Sequence, residues 1–177
     1  MKRDPIYGIM AEFDSATALV EAARKTHQAG YKKIDAYSPF PIEGLAEEIG
    51  SRNDVPVVVL IGGLVGGISG YLMQYWMSAV DYPLNIGGKP YHSWPAFIVI
   101  TFEMTILFAG ISAVLGMLAL NGLPMPYHPV FNVPRFAMAS KDRFFLTVFS
   151  SDKKYDPTDT RQFLESLDPR SVSEVPS

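Results

Sequence analysis

Two apolar runs, each long enough to cross a bilayer, constrain this chain more than any motif does. From Val55 to Ala79, 25 residues pass without one Asp, Glu, Lys, Arg or His. From Ala96 to Leu120 another 25 carry a single charge, Glu103. A hydrocarbon core about 30 Å thick needs about 20 helical residues, so each run predicts a span. Only 16 residues, 80–95, join them. The expected arrangement is a two-helix transmembrane hairpin, with the flanking segments 1–54 and 121–177 left outside the bilayer. Together those segments are large enough for one small domain and too small for two.

The flanks read as a single domain cut at its midpoint. Tyr7–Phe13 has the apolar character of a short buried strand, and Asp14 or Ser15 can cap the helix that follows. Ala16, Leu19, Val20 and Ala23 recur at helical spacing, and Gly30 supplies a stop. Lys32–Tyr37 reads as a second strand, and Glu43–Ile49 as a short helix. Beyond the second span, Pro124, Pro126, Pro129 and Pro134 punctuate a stretch that is expected to lie against the membrane face or a partner. Arg143–Phe149 reads as a strand. Asp156-Pro157-Thr158-Asp159 opens a helix with a cap, a proline in the first turn and an acid near the positive dipole end. A last short strand falls near Val172. The order strand–helix–strand, hairpin, strand–helix–strand is the β-α-β-β-α-β pattern of a ferredoxin-like domain. The expected class is therefore α+β, a ferredoxin-like domain split by an inserted hairpin, with both termini on one side of the membrane.

Charge distribution points to the cytoplasm for that side. Seven Lys and Arg precede the hairpin and seven follow it, against Lys89 alone in the loop, in the sense of the positive-inside rule. No apolar run near the start resembles a signal peptide. Tyr75, Trp76, Tyr82, Tyr91 and Trp94 form an aromatic belt at the loop end, which is expected to be periplasmic. The net charge of −3 gives no bulk attraction to nucleic acid.

The chain has no cysteine, which excludes disulfides, thiolate-held iron–sulfur clusters and haem attached through C-x-x-C-H. His27, His92 and His128 all lie outside the spans, so a haem held by two intramembrane histidines is not expected either. His92 and His128 read as loop or interface residues, without a second histidine or carboxylate at metal spacing. Asp156 and Asp159 read as helix-capping residues, and no nucleophile–base pair is visible. Neither a catalytic residue nor a cofactor or metal ligand is expected.

Two features inside the spans remain. Gly62, Gly66 and Gly70, with Gly63 and Gly67 beside them, form adjacent small-residue rows on one helix face. Such rows let a neighbouring helix approach closely, and so smooth a face could serve another subunit as well as the second span. Glu103 lies eighth in its span, roughly 7–8 Å from the midplane at 1.5 Å per residue. A charge there costs on the order of 2–3 kcal/mol, so Glu103 is expected to face protein, be protonated or have a partner. Gly110, seven residues on, shares its face and is read as a packing residue. A polar contact between subunits, a proton-transfer or quinol-site role, and solvent contact all fit Glu103.

Several runs of the chain resemble one family. Tyr7-Gly-Ile-Met-Ala-Glu-Phe13 and Ala29-Gly-Tyr-Lys-Lys-Ile-Asp-Ala-Tyr-Ser-Pro-Phe-Pro-Ile-Glu-Gly-Leu45 are similar to the opening of the D subunit of bacterial alternative complex III. Trp94-Pro95, Thr101-Phe102-Glu103, Leu123-Pro-Met-Pro-Tyr-His-Pro-Val-Phe131, Arg135-Phe136 and Asp142-Arg-Phe-Phe-Leu146 continue the pattern, and the resemblance reaches about Leu167. It implies a cofactor-free accessory subunit in the bacterial inner membrane, with two spans and a cytoplasmic domain. Its implied partners are the multi-helix quinol-oxidising membrane subunits and the subunits bearing iron–sulfur clusters and haem c. Two rival readings stand beside it: a proton-transfer subunit acting through Glu103, and a membrane-anchored regulatory domain that binds a small ligand.

Overall fold

The computed structural model describes residues 6–177. It contains four strands, β1 (Ile6–Phe13), β2 (Ile34–Tyr37), β3 (Phe144–Phe149) and β4 (Ser171–Pro176). Five α-helices accompany them: α1 (Ala16–Gln28), α2 (Leu45–Glu48), α3 (Val55–Tyr75), α4 (Trp94–Leu120) and α5 (Pro157–Glu165). The chain divides into two compact units. One combines the chain up to Arg52 with Pro126–Ser177, and the other is Asn53–Met125.

In the first unit the strands form one sheet in the order β2-β3-β1-β4, with every neighbouring pair antiparallel. The central pair, β1 and β3, is almost entirely buried because both faces of the sheet are covered. Alternation along each strand sorts the side chains. Ile9, Ala11, Phe13, Phe144, Leu146 and Val148 point to one face, where Leu19, Ala22 and Ala23 of α1 and Leu164 of α5 complete the core. Ser15 caps α1 by accepting from the Ala18 N–H at 3.1 Å. Asp156 caps α5 by accepting from the Thr158 and Asp159 N–H groups at 2.9 and 3.0 Å. Both helices are short, so their stability rests on this burial rather than on propensity.

The opposite face carries Met10, Phe145 and Val175, and it is covered by the proline-rich stretch. The packing against the chain's own sheet begins at Pro129, whereas Leu123, Met125 and Tyr127 ahead of it are exposed. Pro129–Asn132 and Pro134–Ser140 are two 3₁₀ turns, each with proline at its start. Val130, Val133, Phe136 and Ala139 recur every third residue and are buried against the sheet. That is the period of a 3₁₀ helix, and proline at the first position of a turn removes only a donor that had no partner there.

The second unit is an antiparallel pair of helices, both long and apolar enough to cross a membrane: Val55–Asp81 and Trp94–Leu120. The first ends in a π-helical turn over Trp76–Asp81. Both helices extend past the apolar runs 55–79 and 96–120, to Asp81 at one end and from Trp94 at the other.

Candidate functional site

Three places gather the chain's unusual residues: the α3–α4 contact, the outer face of α4, and an ion-pair network at one end of the sheet.

The glycines of α3 lie against α4. A Cβ added at Gly66 would collide with the Met104 carbonyl oxygen and fall 2.7 Å from the Phe108 Cβ. At Gly62 it would strike the Ser112 side chain, and at Gly70 it would lie 2.9 Å from the Met104 Cβ. At Gly67 an added Cβ would lie 2.8 Å from the Thr105 hydroxyl oxygen, whereas at Gly63 it would rest at ordinary contact distance, 3.6 Å from the Ala109 Cβ. The facing residues of α4 are thus Thr101, Met104, Thr105, Phe108 and Ser112, with Gly116 receiving Val58. Polar groups between the helices are satisfied locally. Gln74 donates to the Gly70 and Phe97 carbonyls at 3.1 and 3.0 Å and to the Thr101 hydroxyl at 3.2 Å. Thr105 donates to the Thr101 carbonyl at 2.7 Å.

Gly110 does not join this contact. A Cβ there would meet nothing within 4 Å, because Gly110 is about 200° around the helix from Phe108. Glu103 shares that outward side and is exposed. Its carboxyl therefore does not face α3, and it has no hydrogen-bond or ion-pair partner among the described residues. Sequence spacing puts Glu103 and Gly110 on one face, but α4 is apolar all round, so nothing in its pattern says which face turns toward α3.

The network at the sheet end was not visible in the sequence. Glu12, the last but one residue of β1, is buried at 2% exposure. Arg135 grips it with two donors, Nε to Oε2 and Nη2 to Oε1, both at 2.6 Å. Ser171 donates to Oε2 at 3.0 Å, while Arg143 and Arg170 stand 3.8 and 3.9 Å from Oε1. Asp14 accepts from Arg170 at 2.9 Å and from Arg143. The Arg135 guanidinium holds the Glu12 carboxyl below its ordinary range against the upward push of burial, with Ser171 and Arg170 adding to the effect. A second buried carboxylate, Asp152, takes the Lys32 and Lys33 N–H groups at 2.7 and 2.6 Å and the Lys154 N–H at 2.8 Å. Burial pushes Asp152 up, but the three backbone donors together leave it below the usual aspartate range. Each carboxylate is saturated by groups of its own unit, so these clusters are built to hold structure.

The histidines stay apart. His92 Nε2 lies 2.6 Å from the Tyr71 hydroxyl and His128 Nε2 3.3 Å from the Tyr7 hydroxyl, while the His27 ring lies beside Gly50. No group of three His, Asp or Glu side chains converges as a metal site among the described residues. The shallow depressions along α1 are lined by Glu21, Arg24 and Lys25. Those charges are already paired: Glu21 with Lys25 at 2.8 Å, and Arg24 with Glu48 at 2.8 Å.

A small sheet domain joined to two helices long and apolar enough to cross a bilayer gives the chain a mixed architecture that suggests a membrane protein. The chain belongs to the ActD family: the family described as "Alternative complex III, ActD subunit" matches residues 7–174. It is thus a subunit of alternative complex III, which agrees with the resemblance carried by its motifs. No curated protein matches the chain.

Proposed function

We propose that this subunit is a cofactor-free accessory component that supports assembly and stability of the quinol-oxidising membrane core of alternative complex III. The observation that carries this reading is the α3–α4 contact. Gly62, Gly66 and Gly70 fit against α4 with no room for a side chain, so the two helices form a preassembled element whose outer surfaces remain for other subunits. The buried carboxylates Glu12 and Asp152 are taken up in holding the chain's own fold. In this reading the iron–sulfur clusters and haem c belong to partner subunits, and quinol is oxidised beside the helix pair. The sheet unit is read as a ferredoxin-like domain interrupted by the pair and lying on the cytoplasmic side. Its strand order and its two helices, one after β1 and one after β3, support that fold.

The test is to remove this chain from the producing cells and isolate what remains of the complex. The expected result is a lower yield of assembled complex, with quinol oxidation per haem near normal in whatever assembles. A fully assembled complex that binds quinol but fails to oxidise it would overturn the accessory role.

A further inference from the structure

The outer face of α4 combines a carboxyl at membrane depth with a side-chain gap two turns away. Glu103 and Gly110 are seven residues apart, so they share a face and lie about 10 Å apart along the axis. Around Gly110 a shallow groove is lined by Ile106, Leu107, Ile111 and Val114. Its floor is open at Gly110, where a Cβ would touch nothing. Within this chain nothing fills the groove, and nothing donates to Glu103 among the described residues.

We infer that this face seats a transmembrane helix of another subunit of the complex, and that the incoming helix brings a hydrogen-bond donor to Glu103. Acyl chains offer no donor, and Glu103 sits within a helix long and apolar enough to cross the bilayer, so with the helix inserted lipid alone leaves the carboxyl unsatisfied. A second copy of this chain is the weaker candidate. Two copies inserted with the same topology pack about an axis along the membrane normal, which sets like residues opposite each other. Glu103 would then meet Glu103, a contact that holds only while at least one carboxyl is protonated and repels when both ionise. A helix of another subunit carries no such condition: a Ser, Thr, Asn, Gln, Tyr, Trp, His, Lys or Arg can reach the carboxyl while a smooth flank settles over Gly110. Small residues at such contacts let backbones approach, and polar residues fix the register.

The inference rests on the accessory reading, and two measurements on the intact complex separate them. In the first, a photo-crosslinking phenylalanine analogue replaces Leu107, which is 53% exposed on this face, and the purified complex is irradiated. The expected product is an adduct with one other subunit, mapped by mass spectrometry to a membrane-spanning peptide that carries a donor residue. Adducts only with lipid, or with a second copy of this chain, would overturn the inference. In the second, Glu103→Gln and Glu103→Leu complexes are washed with increasing detergent and the retained subunit is measured. The Leu variant should be lost roughly threefold to tenfold more readily, the range expected for one interhelical hydrogen bond, while Gln is retained close to the wild type. Equal retention of the Leu variant and the wild type would also overturn it. Failure of the accessory reading looks different: the complex would then assemble fully without this chain.

Discussion

Arg135 clasps Glu12 with two hydrogen bonds of 2.6 Å across 123 residues of sequence, tying the last turn-side of β1 to the 3₁₀ segment beyond the helix pair. Among the described residues the charged partners of Glu12 all come from beyond Pro126: Arg135, Arg143 and Arg170. The network therefore forms only when both parts of the sheet unit have met. It closes the fold in the sense that neither part alone can satisfy the carboxylate.

Removing one side of this pair should be costly, because it strands a buried carboxylate beside weaker contacts. We expect Arg135→Ala to lower the stability of the sheet unit, read as a lower unfolding midpoint of the full chain in detergent. The same pair sets a pH dependence. The Glu12 carboxyl is held below its ordinary value of 4.5, so the native state binds its proton less readily than the unfolded state. The stabilisation is complete above 4.5 and drains away as pH falls through the lowered native value. In Glu12→Gln this acid-side loss should shrink, and an unchanged acid limb would show that other carboxylates govern it.

How much of this was legible beforehand depended on range. The spans, the Asp156-Pro157 helix start and the alternation in β1 and β3 are local patterns, and local patterns were readable. The Glu12–Arg135 pair joins residues 123 positions apart, so neither side chain carries a local sign of the other. The 3₁₀ segment was hidden for a different reason: Pro129 and Pro134 read as breakers, although Val130, Val133, Phe136 and Ala139 already show its three-residue period. Spacing alone puts Glu103 and Gly110 on a common face of the helix. Which way that face turns is a property of packing against α3, and an all-apolar helix does not encode its own rotation.

Asp152 offers a test of backbone rather than side-chain anchoring. One of its oxygens takes both the Lys32 and Lys33 N–H groups and the other takes Lys154. Asn at this position has one oxygen and one amide, so the amide must face a donor whichever way it turns. Asp152→Asn should therefore destabilise the sheet unit by about 1–3 kcal/mol. Hydrogen exchange at Lys32 and Lys33 should rise more than at Ala11 in the centre of β1. Uniform exchange across the unit would mean that the variant simply unfolds more often as a whole.

Phe136 decides what the proline-rich segment is for. It is 7% exposed and packs beside Phe145 and Tyr37, with ring centroids 5.5 and 5.0 Å away. Phe136→Ala should cost about 3–5 kcal/mol of stability, measurable on the isolated full chain in detergent. If the segment instead served a partner, the isolated chain would be unaffected and only the assembled complex would weaken.

Topology is open to direct labelling because the chain has no cysteine. The Lys and Arg count on either side of the spans favours a cytoplasmic sheet unit. Ser151 and Lys89 are both exposed, in the sheet unit and in the segment between the long helices respectively. In intact spheroplasts an impermeant maleimide should label Lys89→Cys and spare Ser151→Cys until the membrane is broken. Immediate labelling of Ser151→Cys would invert the assignment.

The two glycines Gly66 and Gly110 make a matched pair for testing helix packing. A methyl group at Gly66 collides with backbone, the Met104 carbonyl oxygen, and crowds the Phe108 Cβ at 2.7 Å. Backbone cannot rotate out of the way, so α3 and α4 must separate, at a cost of about 1–3 kcal/mol. A methyl group at Gly110 meets nothing within 4 Å. Gly66→Ala should thus loosen the isolated helix pair, seen as faster exchange and earlier thermal loss of helix in detergent, while Gly110→Ala leaves the isolated chain unchanged. In the assembled complex the contrast should narrow, because a side chain at Gly110 would fill the gap that the neighbouring subunit's helix occupies. Equal effects of the two substitutions on the isolated chain would show that α4 turns a different face toward α3.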